Sequence, residues 1–356
     1  MRAVSSRSAL EDAIRPALLR PPCVVSFSGG RDSAAVLAAA VSLARREGLP
    51  DPIPATNVVQ AATDADESSW QELVVRHLGL TDWIRVEHED DLDLIGPYAE
   101  DVLIAHGLLW PPNAHFHLPL LRAAPGGSML TGVGGDELYC AARRMRSAEV
   151  LSGAVRPRPR DVLTVGFALS PHTVRTAVMA RRGSLEASWL RPRGRRLVTS
   201  LLAAESAAEP RRLDARLMWW RELRYLRVGS AALDLLAADT QTLLIHPLQD
   251  ARFWTAVARE AGPLGFSGRT EGVRRLFGDL LPPPIVSRES KANLDEVFWT
   301  DRSRAFAREW DGSGVPARWV DADELAQHWA TAHPSVASST LLQAAWLASA
   351  RDRVEQ

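Results

Sequence analysis

From residue 22 to about residue 145, short β-branched runs alternate with longer helical stretches. Parallel strands cannot be joined by a tight turn, so this alternation constrains the chain to a sheet whose strands are connected by crossover helices. Cys23 to Ser28 reads as a buried strand and Ser33 to Glu47 as an Ala-rich helix. Further strands are expected at Ala55 to Ala61, Trp83 to Glu87 and Ser128 to Thr131, with a helix over Trp70 to Leu78. Beyond about residue 146 the strand signals fade, and the longest helical pattern runs from Arg211 to Ala237. Gly153 to Asp161 and Gly262 to Gly268 read as loops. The expectation is an α/β fold: a doubly wound parallel sheet over 1–145, completed by a mostly helical portion over 146–356. In such a sheet, ligands sit at the carboxyl ends of the strands, near the point where the strand order reverses.

Two glycine-rich segments fall at predicted strand ends. Ser28-Gly29-Gly30-Arg31-Asp32-Ser33 lies between the first strand and the Ala-rich helix. Its glycines permit a tight turn whose N–H groups approach phosphate oxygens, and the helix start adds its positive end. Asp32 would repel bare phosphate, so its place in the loop argues for Mg²⁺ bridging carboxylate and phosphate. The spacing fits neither the Walker loop nor the dinucleotide fingerprint. Taken alone, the hexapeptide also suits an ordinary glycine turn. A second such segment, Thr131-Gly132-Val133-Gly134-Gly135-Asp136-Glu137-Leu138, follows a later strand and supplies a second carboxylate, Asp136.

These two segments resemble the SGG-x-DS loop and the SG-x-G-x-DE element of the PP-loop ATP pyrophosphatases, whose fold is adenine-nucleotide α-hydrolase-like, and within them the asparagine synthetase family. His246-Pro247-Leu248-Gln249-Asp250, just after a short apolar run that suits strand or helix, is similar to that family's Pro-Phe-Leu-Asp element. Arg269 to Phe298 resembles the stretch in which arginines precede a Leu-Pro break and an Arg-x-x-Lys follows; here the Lys is Lys291. The resemblance implies a ligase in which a substrate carboxylate attacks the ATP α-phosphate, releasing pyrophosphate, and an amine then displaces AMP to form an amide. It implies Ser28, Gly29, Gly30, Asp32, Ser33, Thr131 and Gly132 around ATP and pyrophosphate, Asp32 and Asp136 on Mg²⁺, and Lys291 as the catalytic cation. β-Lactam synthetases and lasso-peptide cyclases share this domain, which makes natural product biosynthesis one expected setting.

The chain also departs from the pattern. Asparagine synthetase has an N-terminal glutaminase domain that begins with Cys; residue 2 here is Arg2, and about 20 residues precede the first strand. The amine is therefore expected to be free ammonia, the output of a separate glutaminase, or a nitrogen on a substrate. Val133 stands where the family has Glu or Tyr and can accept no proton, so a general base, if one is needed, is expected from elsewhere, with Glu137, Tyr139 and His246 in the right neighbourhoods, or from the substrate.

Of 42 Lys+Arg, Lys291 is the single lysine. Where every other cation is Arg, a compact ammonium marks a position that a planar fork would not serve. Residues 141–230 hold 19 Arg and 7 Asp+Glu, a surplus hidden by the net charge of −1. That surplus fits an acidic peptide or carrier, and it also suits a rival reading as a tRNA-modifying ligase or thiolase. A third reading is an inactive nucleotide-binding subunit. Two cysteines, Cys23 and Cys140, exclude a disulfide framework and a cysteine-rich zinc site. The acidic N-terminal helix and the lack of an 18-residue apolar run point to a cytoplasmic protein outside the membrane. His115, His117, Asp64, Asp66 and Glu67 are pocket or capping candidates, and Glu87 to Asp93 reads as a solvated acidic turn.

Overall fold

The structure is a computed structural model that describes residues 4–59, 67–139, 145–151, 153, 155–182, 187–290 and 295–355. The chain divides into two compact units. The first comprises 1–92, 109–141 and 212–297; the second comprises 93–108, 142–211 and 298–356.

The first unit is built on five parallel strands: β1 (Cys23–Ser26), β2 (Ile53–Val59), β3 (Ile84–His88), β4 (Ser128–Leu130) and β5 (Leu243–Ile245). Their order is β3-β2-β1-β4-β5. The chain thus winds outward from β1 to β3, returns to the other side of β1, and winds outward again, so the order reverses between β1 and β4. Val24 pairs with Ile53 on one side and Met129 on the other. Val24, Val25, Met129 and Leu130 are almost wholly buried, as the middle of a sheet covered on both faces requires.

Helix α1 (Ser6–Leu18) opens on a Ser5 cap that accepts from Ser8 N. The first crossover is α2 (Arg31–Glu47), and α3 (Ser68–Leu78) is the second. In α2, Ala34 to Val41 are all at most 2% exposed, because small side chains let the sheet and other helices close around it. Gly48, at φ +69°, ends α2 in the left-handed conformation. The three-residue run before His246 resolves as strand β5. The Arg211–Ala237 pattern is not one helix. It breaks at Leu223, whose backbone is extended, into Leu213–Glu222 and Arg224–Asp239. The break buries Leu223 and directs Tyr225 Oη onto Glu137 at 2.7 Å.

The second unit is helical, with an apolar core that includes Leu94, Trp189, Trp299, Leu325, Trp329 and Leu342. Asp93, expected in a solvated turn, is fully buried there. Its carboxylate accepts from Ile95 N (2.9 Å), Thr300 N (2.8 Å), Thr300 Oγ1 (2.7 Å) and Ser303 Oγ (2.6 Å), which makes the buried charge tolerable. The helices Asp161–Leu169 and Pro192–Ala208 instead expose apolar side chains, with Leu163 81% and Leu201 60% accessible. No helix among the described residues is long and apolar enough to cross a membrane.

Candidate active site

The two glycine-rich segments follow β1 and β4, the adjacent strands at the reversal, and they touch. A Cβ at Gly132 would lie 2.7 Å from Ser33 N, and one at Gly135 would lie 2.2 Å from Asp32 Cγ. Glycine at these two positions is what allows the second loop to rest on the first turn of α2. Gly30 occupies the cap position of α2 without a side-chain cap bond, so the helix start has no capping oxygen in the way of an anion. Within the first loop, Ser28 Oγ accepts from Gly30 N and Ser33 Oγ donates to Gly30 O, at 3.3 and 3.1 Å.

The first loop is held from the other side by α3 and by Arg288. Gly29 turns with φ +80°, Gln71 Nε2 donates to Ser28 O at 3.3 Å, and Arg288 Nη1 donates to Gly29 O at 3.0 Å. Arg288 also pairs with Glu67 and lies over the Trp70 ring at 4.8 Å. The side chains of this pair are only 3% and 11% exposed. Loss of either partner would strand the other charge, at about 3–5 kcal/mol for a buried pair. Glu67, a capping candidate by sequence, makes no cap bond to α3; its carboxylate goes to Arg288.

Asp32 and Asp136 are brought to one guanidinium. Arg269, the first residue of the helix Arg269–Phe277, donates through Nη2 to Asp32 and through Nη1 to Asp136. Asp32 Oδ1 is buried and has no hydrogen-bond partner. Burial holds the Asp32 carboxyl above the usual range, with Asp136 adding to the rise and Arg269 opposing it. Arg31 reaches the same helix start, donating to Thr270 Oγ1 at 3.0 Å. Arg269 and Arg288 stand in the sequence only as parts of the arginine-rich motif. Among so many arginines, no residue-type signal separates them.

These groups line a cavity of about 530 Å³, within the range of small-molecule sites. Ser28, Gly30, Asp32, Ser33, Thr131, Gly132 and Asp136 are all on its wall, and Phe27, Val59, Phe116 and Leu120 give it an apolar side. Gly29 is adjacent in the first loop. Val133 is on the wall, and Glu289 and Ser290 of the Arg-x-x-Lys segment are too. Lys291, Cys140, Asp64 and Asp66 lie outside the described residues.

Glu137 is buried and bonded to Tyr225, and burial pushes its carboxyl up. Tyr139 is buried with its hydroxyl unpartnered, and burial drives its pKa well above the ordinary phenol. His246 Nδ1 lies 2.7 Å from Thr131 Oγ1, and burial lowers the imidazole to about 4. His117 does line the cavity, and burial lowers it also to about 4. His115 is buried against Leu92 O at 2.9 Å. Both low-pKa imidazoles are therefore neutral acceptors at physiological pH.

Against curated proteins, nothing matches the chain. Against protein-family models one match spans almost all of it, from the α1 helix through the helical second unit. Residues 5–349 of the 356 match the asparagine synthase family, and the chain belongs to that family of ATP-dependent, amide-forming ligases.

Proposed function

We propose that the chain adenylates a substrate carboxylate with ATP, releases pyrophosphate, and passes the acyl group to a substrate amine, forming an amide or lactam in a peptide or small molecule. The observation that carries this reading is the contact of the two glycine-rich loops at the β1/β4 reversal, with a carboxylate from each facing one cavity. The donor set suits Mg²⁺: two carboxylates, hard oxygen ligands, one of them with an unpartnered buried oxygen. Asp32 and Asp136 would hold the ion, whose chemistry when bound is to neutralise phosphate charge. Ser28, Gly29, Gly30 and Ser33, with Thr131 and Gly132, would cradle the phosphates through backbone N–H groups and hydroxyls. Arg288 fixes the turn that presents them. Val133 offers no proton acceptor, so the amine enters uncharged or gives its proton to another group of the chain or of the substrate.

The test is product analysis with purified protein, Mg²⁺ and ATP in a cell extract that supplies substrates. AMP and pyrophosphate are expected in equal amounts; ADP and phosphate as the stoichiometric products would refute it, because they require a break at the γ-phosphate.

The partner is proposed to be a peptide or carrier with an acidic segment. Residues 142–211 of the second unit hold 14 Arg and 5 Asp+Glu, and Arg156, Arg158, Arg160, Arg193, Arg195 and Arg196 are exposed. Exposed cations of this kind attract anions over about 10 Å at moderate salt. Affinity for the peptide substrate should fall several-fold between roughly 50 and 300 mM salt. An affinity constant across that range would overturn the assignment, and tighter retention of RNA than of peptide would favour the tRNA-modifying reading.

A further inference from the structure

Arg269 bridges the two carboxylates that the proposed reaction assigns to a divalent ion. One Nη donates to Asp32 on the first loop and the other to Asp136 on the second, so a single guanidinium bridges both carboxylates. A guanidinium does not lose its charge in a protein. It cannot make room for a second cation by neutralising, only by moving. The helix that carries it is closely packed, however. The next residue, Thr270, is tied to Arg31, and at Gly272 an added Cβ would lie 2.6 Å from the Tyr139 ring. The guanidinium itself rests over that ring at 5.9 Å, with the side chain 29% exposed. Displacement is therefore a swing of the side chain within the cavity.

We propose that Arg269 is the resident counter-cation of the carboxylate pair, and that a divalent ion displaces it only when a nucleotide arrives with it. The inference rests on the reading of Asp32 and Asp136 as the ion's ligands. A divalent ion alone would leave the guanidinium without a partner in a partly desolvated wall, which is costly. A triphosphate offers that guanidinium new anionic oxygens in the bidentate geometry that Arg prefers. Exchange of carboxylates for phosphate then becomes near neutral, and metal and nucleotide binding are coupled by one side chain. Arg269 is in this sense a positioning residue: it keeps the two loops together when the site is empty of ions and hands the carboxylates over on loading.

The experiment is Mn²⁺ binding to the full chain, followed by electron paramagnetic resonance of free Mn²⁺, with and without α,β-methylene-ATP, the Mn²⁺ held by the analogue alone being measured without protein and subtracted. In the wild type, Mn²⁺ should bind at least about tenfold more tightly with the analogue than alone. In Arg269→Met, Mn²⁺ alone should bind about tenfold more tightly than to the wild type, and the analogue about tenfold more weakly. Arg269→Lys, which retains the charge but not the fork, should fall between, and it serves if the methionine variant does not melt cooperatively. Wild-type protein that takes Mn²⁺ equally well with and without the analogue, or variants that bind Mn²⁺ alone no better than the wild type, would overturn the inference. Failure of the underlying reading looks different. Mn²⁺ would then not bind even with the analogue, or Asp32→Asn would bind it as the wild type does, and the inference would fall with the ligand assignment.

Discussion

Asp32→Asn should lose at least about a thousandfold in turnover while its folded state becomes no less stable. The two halves of this expectation come from one fact, the burial of a carboxylate with an unpartnered oxygen. The activity half follows because the amide of Asn has the shape of the carboxylate without the charge that a divalent ion needs. The folded-state pKa of Asp32 is raised by burial, so folding favours the protonated form. Its contribution to stability is complete below the unfolded pKa and is lost as pH rises through the raised one. At neutral pH the ionised side chain thus counts against the fold, and Asn removes that cost while still accepting from Arg269, which keeps its bond to Asp136. Thermal melts of both proteins between pH 4 and 8, alongside pyrophosphate release, give the check. The variant should melt at or above the wild type at pH 8, with the advantage shrinking as pH falls. A variant with activity within tenfold of the wild type would remove Asp32 from the metal site, and one that melts much lower would show that the Arg269 pair outweighs burial.

Lys291→Arg should be nearly as damaging as Lys291→Ala, each lowering kcat by about a hundred- to a thousandfold. The proposed role is to follow negative charge from pyrophosphate to the tetrahedral carbonyl oxygen, which a compact ammonium can do from one point and a planar fork cannot. Arg288, three residues earlier, is bonded to Gly29 O, and Ser290, the residue before Lys291, lines the cavity. Residues 288–290 therefore border the cavity beside the first glycine-rich loop. Because the interaction strengthens only as charge develops, nucleotide affinity should change far less than kcat, by about threefold or less. Titration with α,β-methylene-ATP separates the two quantities. Normal turnover by Lys291→Arg would exclude the role, since a surface lysine is the kind that Arg replaces silently.

Much of this site was legible as sequence, for reasons specific to the residues. The apolar runs of β1 and β4 and the glycines that follow them are local signals, and they sit at the one place in a doubly wound sheet where a ligand is expected. β5 has only three residues, too few for periodicity to separate strand from helix. The break at Leu223 lies between good helix formers and is set by tertiary contacts, among them Tyr225 to Glu137. Asp93 looked solvated because its neighbours are charged; the Thr300 and Ser303 groups that satisfy it are 207 and 210 residues away along the chain. Arg269 and Arg288 were hidden by abundance. The rarity that drew attention to Lys291 is the signal that an arginine in this chain can never carry.

The neutral imidazoles of His117 and His246 have a consequence for reading the reaction from outside. Both lose their last proton change near pH 4, so neither adds a step to a rate profile in the range where histidines usually do. With these two silent, no histidine step would overlie the alkaline threshold at which an attacking amine sheds its proton. A backbone amino group would place it near about 8 and a lysine side chain above about 10. The two imidazoles, by staying uncharged, leave the alkaline limb of that profile as a reading of the amine.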